Sequence, residues 1–253
     1  MKKLTILPSK LKIQSKRAKR SWRGVLWVIL ILLLVNTVVG YLILSGYGPT
    51  PGSGLENAVV RIHSADRMGT GFFVSGTYVL TAAHVAGDVG TSLTLENARS
   101  EQWTGTVVAS GYSEWSRFVL NQTQVQAGAT PHDWALIEIS GSYEHDPLFL
   151  GSEADAFQGA DVFLAGHPHD QPLTMTKGVI SRIDATEILT DGEIDPGFSG
   201  GPMIMVEQDG QPEDGVVVGI VVSCPEGMTT VKTAVPIHIV VQKCSEAGFD
   251  LFL

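Results

Sequence analysis

The sequence predicts an all-β, antiparallel domain preceded by one transmembrane helix and closed by a short C-terminal helix, and three of its features lead there. Residues 25–44, VLWVILILLLVNTVVGYLIL, are twenty in number and carry no charge. Beyond residue 55 the chain breaks into short β-rich runs separated by turn residues. Near the end, apolar residues 237, 239, 240, 241 and 247 precede Gly248, as in a short helix stopped by glycine.

At 1.5 Å per residue the uncharged stretch matches a hydrocarbon core of roughly 30 Å, so it is long enough to span once. Asn36 and Thr37 are tolerable within it because a lone polar group finds backbone or neighbouring partners, and Trp22, Trp27 and Tyr41 suit the interface. Nine of the 17 Lys and Arg residues lie within 2–23, and no Asp or Glu precedes Glu56. The positive-inside rule therefore puts the amino end in the cytoplasm and the rest on the far side. A cleaved signal peptide fits less well: the basic lead is long, the apolar run exceeds the usual stretch of about 7–15 residues, and no A-x-A site follows. The expected organisation is a basic tail at 1–24, a signal-anchor helix at 25–47, a Gly/Pro/Ser linker at 48–54 and one domain at 55–253. Such a domain buries a sizeable core without metals or disulfides.

Past the basic lead the balance is 8 basic against 26 acidic residues, net −18. Phosphate recognition needs clustered Lys and Arg, so nucleic acid is excluded as a partner. Cys224 and Cys244 lie in what should be an oxidising compartment, where they form either one disulfide or two separate buried thiols. The sequon at Asn121 sits in a loop expected over 110–131 and reads as a chance occurrence. The expected strands are AVVRIHS, GTGFFVS, TYVLTAAHV, SLTLEN, GTVVAS, WALIEIS, DVFLAG, TKGVISRI, PMIMVEQ, GVVVGIVVS and TTVKTAVPI, spaced as in a sandwich or a pair of barrels.

Three segments carry chemistry: TAAHV at 81–85, HDWALIEI at 132–139 and PGFSGGP at 196–202. A serine hydroxyl attacks a carbonyl only when a base takes its proton, and neutral imidazole suits that task near pH 7. His84 is the candidate base and Ser199 the candidate nucleophile. A buried carboxylate orients such an imidazole and stabilises its protonated form, and Asp133 fits that place. Glycines flank Ser199 because backbone N–H groups must reach the developing oxyanion unobstructed; Gly197 and Ser199 are the expected donors.

With these residues in place, the order His, Asp, Ser in these contexts resembles the chymotrypsin-fold serine proteases, nearest to their HtrA/Deg branch. GTGFFVSGTYVLTAAHV at 69–85, DWALIEI at 133–139, GHPHDQPLTMTKGVISRID at 166–184 and TDGEIDPGFSGGP at 190–202 carry the likeness, which covers about 56–241. It implies two antiparallel six-stranded β-barrels over roughly 55–145 and 146–240, with the cleft between them. It also implies peptide-bond hydrolysis through an acyl-enzyme without a cofactor, on polypeptide substrates that add as a strand near Val221 to Ser223 and Gly178. Trimers are frequent among HtrA-type proteins; here the oligomeric state is left open.

The departures from that pattern are informative. Phe198 replaces both the asparagine of the HtrA-type core and the aspartate that, in digestive enzymes, pairs with a freed amino terminus. Activation by that cleavage is therefore not expected. No PDZ domain is expected after residue 253. Glu193, six residues before Ser199, either lines a pocket with Val222 and Ser223 that selects basic side chains or points to solvent beside Asp191 and Asp195. His63, His132, His145, His167, His169 and His238 lack partners at zinc-ligand spacing, so no metal is expected. A silent chymotrypsin-fold module that binds extended peptides is the alternative to an enzyme.

Overall fold

Alternation along 92–97 puts Leu93, Leu95 and Asn97 inside while Ser92 and Thr94 face out, and the same period of two runs through 102–110. The computed structural model describes residues 53–64, 67–111, 133–206, 215–223 and 232–251. The expected transmembrane helix, most of the 110–131 loop with Asn121, His132 and Cys224 all lie outside the described residues, and so therefore does any Cys224–Cys244 pairing. Among the described residues no helix is long and apolar enough to cross a membrane.

The described residues fall within one compact unit, Pro51–Leu253. A short helix α1 (Ser53–Ala58) leads into β1 (Val59–His63), β2 (Met68–Phe73) and β3 (Tyr78–Thr81). One turn of helix, α2 (Ala83–Ala86), precedes β4 (Ser92–Asn97), β5 (Gln102–Ser110) and β6 (Ala135–Ile139). These strands close in the order β1-β2-β3-β6-β5-β4 because β1 pairs antiparallel with both β2 and β4. The second barrel uses β7 (Asp161–Gly166), β8 (Thr174–Ile183), β9 (Ile188–Thr190), β10 (Pro202–Met205), β11 (Val216–Ser223) and β12 (Lys232–Pro236). Its order is β10-β11-β12-β9-β8-β7, closed by β10 against β7. Closure removes sheet edges, which is how this all-β chain avoids unpaired ladders. Helix α3 (Ile237–Glu246) follows, matching the helix expected from 237.

Two differences from the sequence reading have local causes. The run 77–85, read as one strand, divides into β3 and α2, because Ala82–Ala86 contains three alanines that favour helix over strand. Strand β9 is three residues long and too short to register as an alternating run.

The interior of the second barrel is filled by residues such as Leu164, Ile180, Ile188, Met203 and Phe198. A larger apolar cluster fills the first barrel and continues to Val222, Val235, Val240 and Cys244 beneath α3. Phe73 stacks on Tyr143 with ring centroids 3.9 Å apart, and Trp103 meets Phe73 edge-on at 5.0 Å. Burial pushes the Cys244 thiol up to about 12, so it packs as an apolar group.

Candidate active site

Strand β3 ends at Thr81, and Ala82 stays extended before the single turn of α2. Ala83, Val85 and Ala86 are buried, which leaves the His84 side chain partly open, 27% exposed. Thr81 pairs with Ala135 across β3 and β6, so the chain just before β6 is carried beside α2. That chain is Asp133, whose Oδ1 accepts the His84 backbone N–H at 2.9 Å and whose Oδ2 lies 2.7 Å from Nδ1 of the ring. A carboxylate accepts and does not donate, so Nδ1 carries the proton and Nε2 is the basic nitrogen. Burial works to lower the His84 pKa, and the Asp133 charge and hydrogen bond together outweigh it, helped against only weakly by Arg67. The net pKa stands above the ordinary histidine value of 6.5.

Ser199 sits in a tight turn of the second barrel. Gly197 has φ +110° and Gly200 φ +87°, both in the positive range that residues with side chains rarely adopt. A Cβ on Gly197 would stand 2.2 Å from the His167 carbonyl oxygen, and one on Gly200 would stand 2.1 Å from that of Thr70. The turn is closed by Phe198 N–H donating to Asp195 O at 3.1 Å and Gly201 N–H donating to Phe198 O at 2.9 Å. Among the described residues neither the Gly197 nor the Ser199 N–H has a protein acceptor. Phe198 is 2% exposed and seats its ring over Gly166 in the barrel interior. An apolar anchor thus stands directly before Ser199.

The first barrel grips this turn through Thr70 on β2. Its N–H donates to Ser199 O at 2.8 Å, and its hydroxyl donates to Gly197 O at 2.6 Å while accepting the His167 N–H at 3.0 Å. His169 N–H donates to Pro196 O at 2.8 Å. These contacts place the Ser199 turn against β2, the neighbour of the β3 strand that leads to His84. The Ser199 hydroxyl itself donates to Val222 O at 2.9 Å, and the described residues include no hydrogen bond between Ser199 and His84. Val222 is free to accept because the β11–β12 register shifts between Val221 and Ser223.

The remaining predicted residues are dispersed around this centre. Glu193 is exposed, with Thr176 Oγ1 donating to its carbonyl at 2.6 Å. Val222 is buried, and Ser223 ends β11. Gly178 packs on Gly192, where a Cβ would come within 2.5 Å. Thr70, His169 and the anchoring role of Phe198 escaped the sequence reading. A signal for Thr70 did exist: it lies between Gly69 and Gly71, two glycines with no room for a side chain, since a Cβ on Gly69 would reach Val85 at 2.6 Å.

Residues 69–220 match the family model of the trypsin-like peptidase domain. The chain is 29% identical over 192 residues to a probable periplasmic serine endoprotease, DegP-like, of Pseudomonas fluorescens, covering 71% of this chain and 34% of that protein. It is 28% identical over 144 residues to the serine protease Do-like HtrA of Bacillus subtilis, covering 49% of this chain and 30% of that one. The chain therefore spans about a third of the length of these curated relatives. Two crystal structures of the Rv3671c protease superpose on it at 22% identity. The inactive form gives a TM-score of 0.59 and covers 79% of this chain and 93% of that one. The active form, from M. tuberculosis, gives 0.60, with 79% and 84% covered.

Proposed function

This chain belongs to the trypsin-like peptidase family, and on that premise we propose that it is a serine endopeptidase in which Ser199 is the nucleophile, His84 the general base and Asp133 the group that orients and stabilises the histidine. The observation that carries the proposal is the 2.7 Å approach of Asp133 Oδ2 to His84 Nδ1, which leaves Nε2 as base on a segment whose Ala82 and Val85 lie beside the Ser199 turn.

The reaction follows from that arrangement. Substrate adds as an extended strand beside β11 near Val221 to Ser223. The Ser199 hydroxyl rotates from Val222 O toward His84 and gives its proton to Nε2 as Oγ bonds the scissile carbonyl carbon. The carbonyl electron pair moves onto oxygen, and the N–H groups of Gly197 and Ser199, without protein acceptors at rest, receive the oxyanion. Collapse breaks the C–N bond, the amine leaves with the proton from Nε2, and Ser199 holds the acyl group as an ester. Water attacks that ester with His84 again as base, which frees the acid and restores Ser199.

The site of action is proposed to be extracytoplasmic, with 25–47 as the anchor and 55–253 as the protease domain. The uncharged run, the basic lead and the printed periplasmic description of the P. fluorescens protein support this. Polypeptides are the substrates on this reading. Exposure of Glu193 among acidic neighbours favours the solvated turn over a pocket for basic side chains. Cleavage profiling with a peptide library on wild type and Glu193→Ala separates the two, and a lost preference for Lys or Arg restores the pocket.

One observation favours a silent peptide-binding module instead: the Ser199 hydroxyl is directed at Val222 and not at His84. Fluorophosphonate labelling of the purified full chain, with Ser199→Ala as control, separates the readings. Labelling confined to the wild type is expected. Absence of labelling across several detergents would sink the catalytic proposal, and a soluble product beginning near residue 45 would remove the anchor.

A further inference from the structure

The segment His167–Gln171 is a short, strained loop of the second barrel, and its position is set by charges on the first. His169 and Asp170 both take left-handed backbone, with φ +48° and +63°, successive residues with side chains in a region that disfavours them. Asp170 Oδ1 lies 3.1 Å from Arg61 Nε and 3.4 Å from His63 Nε2, both on β1. The approach to Arg61 is off the hydrogen-bond line, so charge more than directed bonding holds it. Arg61 also donates from Nη2 to Gln171 O at 3.3 Å, and that carbonyl accepts the His167 Nδ1–H at 3.1 Å. Arg61 thus ties down two successive residues of the loop.

The loop in turn holds the backbone beside Ser199. A trans peptide plane carries its C=O and the following N–H in opposite directions. The His169 N–H on Pro196 O at 2.8 Å therefore sets which way the Gly197 N–H points. From the other side the His167 carbonyl packs on Gly197 Cα, with no space for a Cβ. If the loop relaxed from its left-handed conformation, the His169 N–H would turn away and the Pro196–Gly197 plane would lose its hold.

We infer that Arg61 and Asp170 form a positioning pair, acting across the two barrels to keep the Gly197 N–H aimed at the oxyanion. The inference rests on the catalytic reading of Ser199 and Gly197. Neither residue touches the reacting atoms; both act through the 167–171 loop. The pair is partly open to solvent, with side chains 23% and 39% exposed, so its worth lies in aiming a donor more than in holding the fold together.

The test uses the full chain in detergent with Asp170→Asn, Arg61→Ala and Arg61→Lys. Asn removes the charge, keeps the shape and tolerates left-handed backbone, so it spares the fold. Lys243→Ala, which breaks an exposed pair with Glu246 on α3, is the control. An internally quenched peptide drawn from a cleavage library gives kcat and KM separately, and a fluorophosphonate gives the rate of Ser199 capture. Loss of one oxyanion donor lowers kcat by about 10²–10³. A mis-aimed donor should lower kcat and the capture rate by about 10–100-fold, with KM within twofold, the melting temperature near wild type and Arg61→Lys in between. Wild-type turnover with Asp170→Asn and Arg61→Ala both within twofold in kcat overturns this inference alone. A wild type that neither turns over nor labels overturns the catalytic reading beneath it. An effect confined to KM, or one matched by loss of melting temperature, assigns the pair to binding or folding and also overturns it.

Discussion

Thr70→Val changes one hydroxyl for a methyl group of nearly the same shape, so it creates no cavity, and its consequences are polar. Thr70 is wholly buried. Its Oγ1 donates to Gly197 O at 2.6 Å and accepts the His167 N–H at 3.0 Å, and neither backbone group has another protein partner among the described residues. The valine strands one acceptor and one donor away from water. At about 1–3 kcal/mol for each buried group left unsatisfied, the variant should lose about 2–6 kcal/mol, a large share of the roughly 5–15 kcal/mol that holds a domain folded. Thr70→Ser keeps the hydroxyl and gives up one methyl group, so it should lose only about 1 kcal/mol. Urea unfolding followed by tryptophan fluorescence, in a Ser199→Ala background that prevents self-cleavage, measures both. Equal losses for the valine and serine variants, or a valine variant within about 0.5 kcal/mol of its parent, would refute the clamp.

Further outcomes are expected for pH dependence and for three substitutions. The pH profile of kcat/KM for the free enzyme should rise with a midpoint above 6.5, because the base must be neutral and Asp133 holds its pKa up. Asp133→Asn removes the raising contributions and leaves burial and Arg67, so the midpoint should fall below 6.5 along with the rate; an unmoved midpoint counts against His84 as the base. The same raised pKa makes His84 stabilising below its unfolded value of 6.5. That stabilisation fades as pH climbs through the folded value, and a melting curve against pH reads it. Phe198→Ala should cost about 3–5 kcal/mol in urea unfolding and slow fluorophosphonate capture, since the side chain both fills the barrel and seats the turn; unchanged capture would separate the two roles. Gly200→Ala should abolish capture and depress the melting temperature, because its Cβ meets Thr70 backbone that has nowhere to move.

Much of the fold is legible in the amino-acid sequence. Strands such as 92–97 announce themselves because part of the barrel wall has one wet face and one dry one, and alternation records that difference. His84, Asp133 and Ser199 stand out because their local contexts are unusual together. What stayed hidden depends on backbone geometry or on three-dimensional neighbours. Val222 contributes a carbonyl, which no side chain advertises. His169 contributes an N–H from a left-handed residue, and nothing in His-Pro-His-Asp distinguishes that from an ordinary loop. Phe198 reads as an interruption of a glycine-rich motif until its ring is seen inside the second barrel. Arg61 and Asp170 are 109 residues apart, and only the packing of β1 against the 167–171 loop makes them partners.

The proposed base and nucleophile lie on different barrels, so their alignment is an interfacial property. Displacement by about 1 Å between reacting groups costs on the order of 10²-fold in rate. A contact limited to apolar packing would leave that alignment free to slide, since dispersion has little directional preference. Here the joint is directional: Thr70 on β2 holds the Ser199 and Gly197 carbonyls, and Arg61 on β1 holds Asp170 and Gln171. Both grips start from the first barrel; Thr70 ends on the Ser199 turn itself, and Arg61 reaches it through the 167–171 loop, whose His169 N–H holds Pro196 O. Each grip also controls a different coordinate, because Thr70 fixes the turn as a body while the 167–171 loop fixes the tilt of one peptide plane within it. Perturbing Thr70 should therefore lower stability and rate together, whereas perturbing Asp170 should lower rate with little change in stability. The double variant Thr70→Val with Asp170→Asn should show rate losses that multiply. Losses that do not multiply would mean that the two grips act through a single motion of the turn.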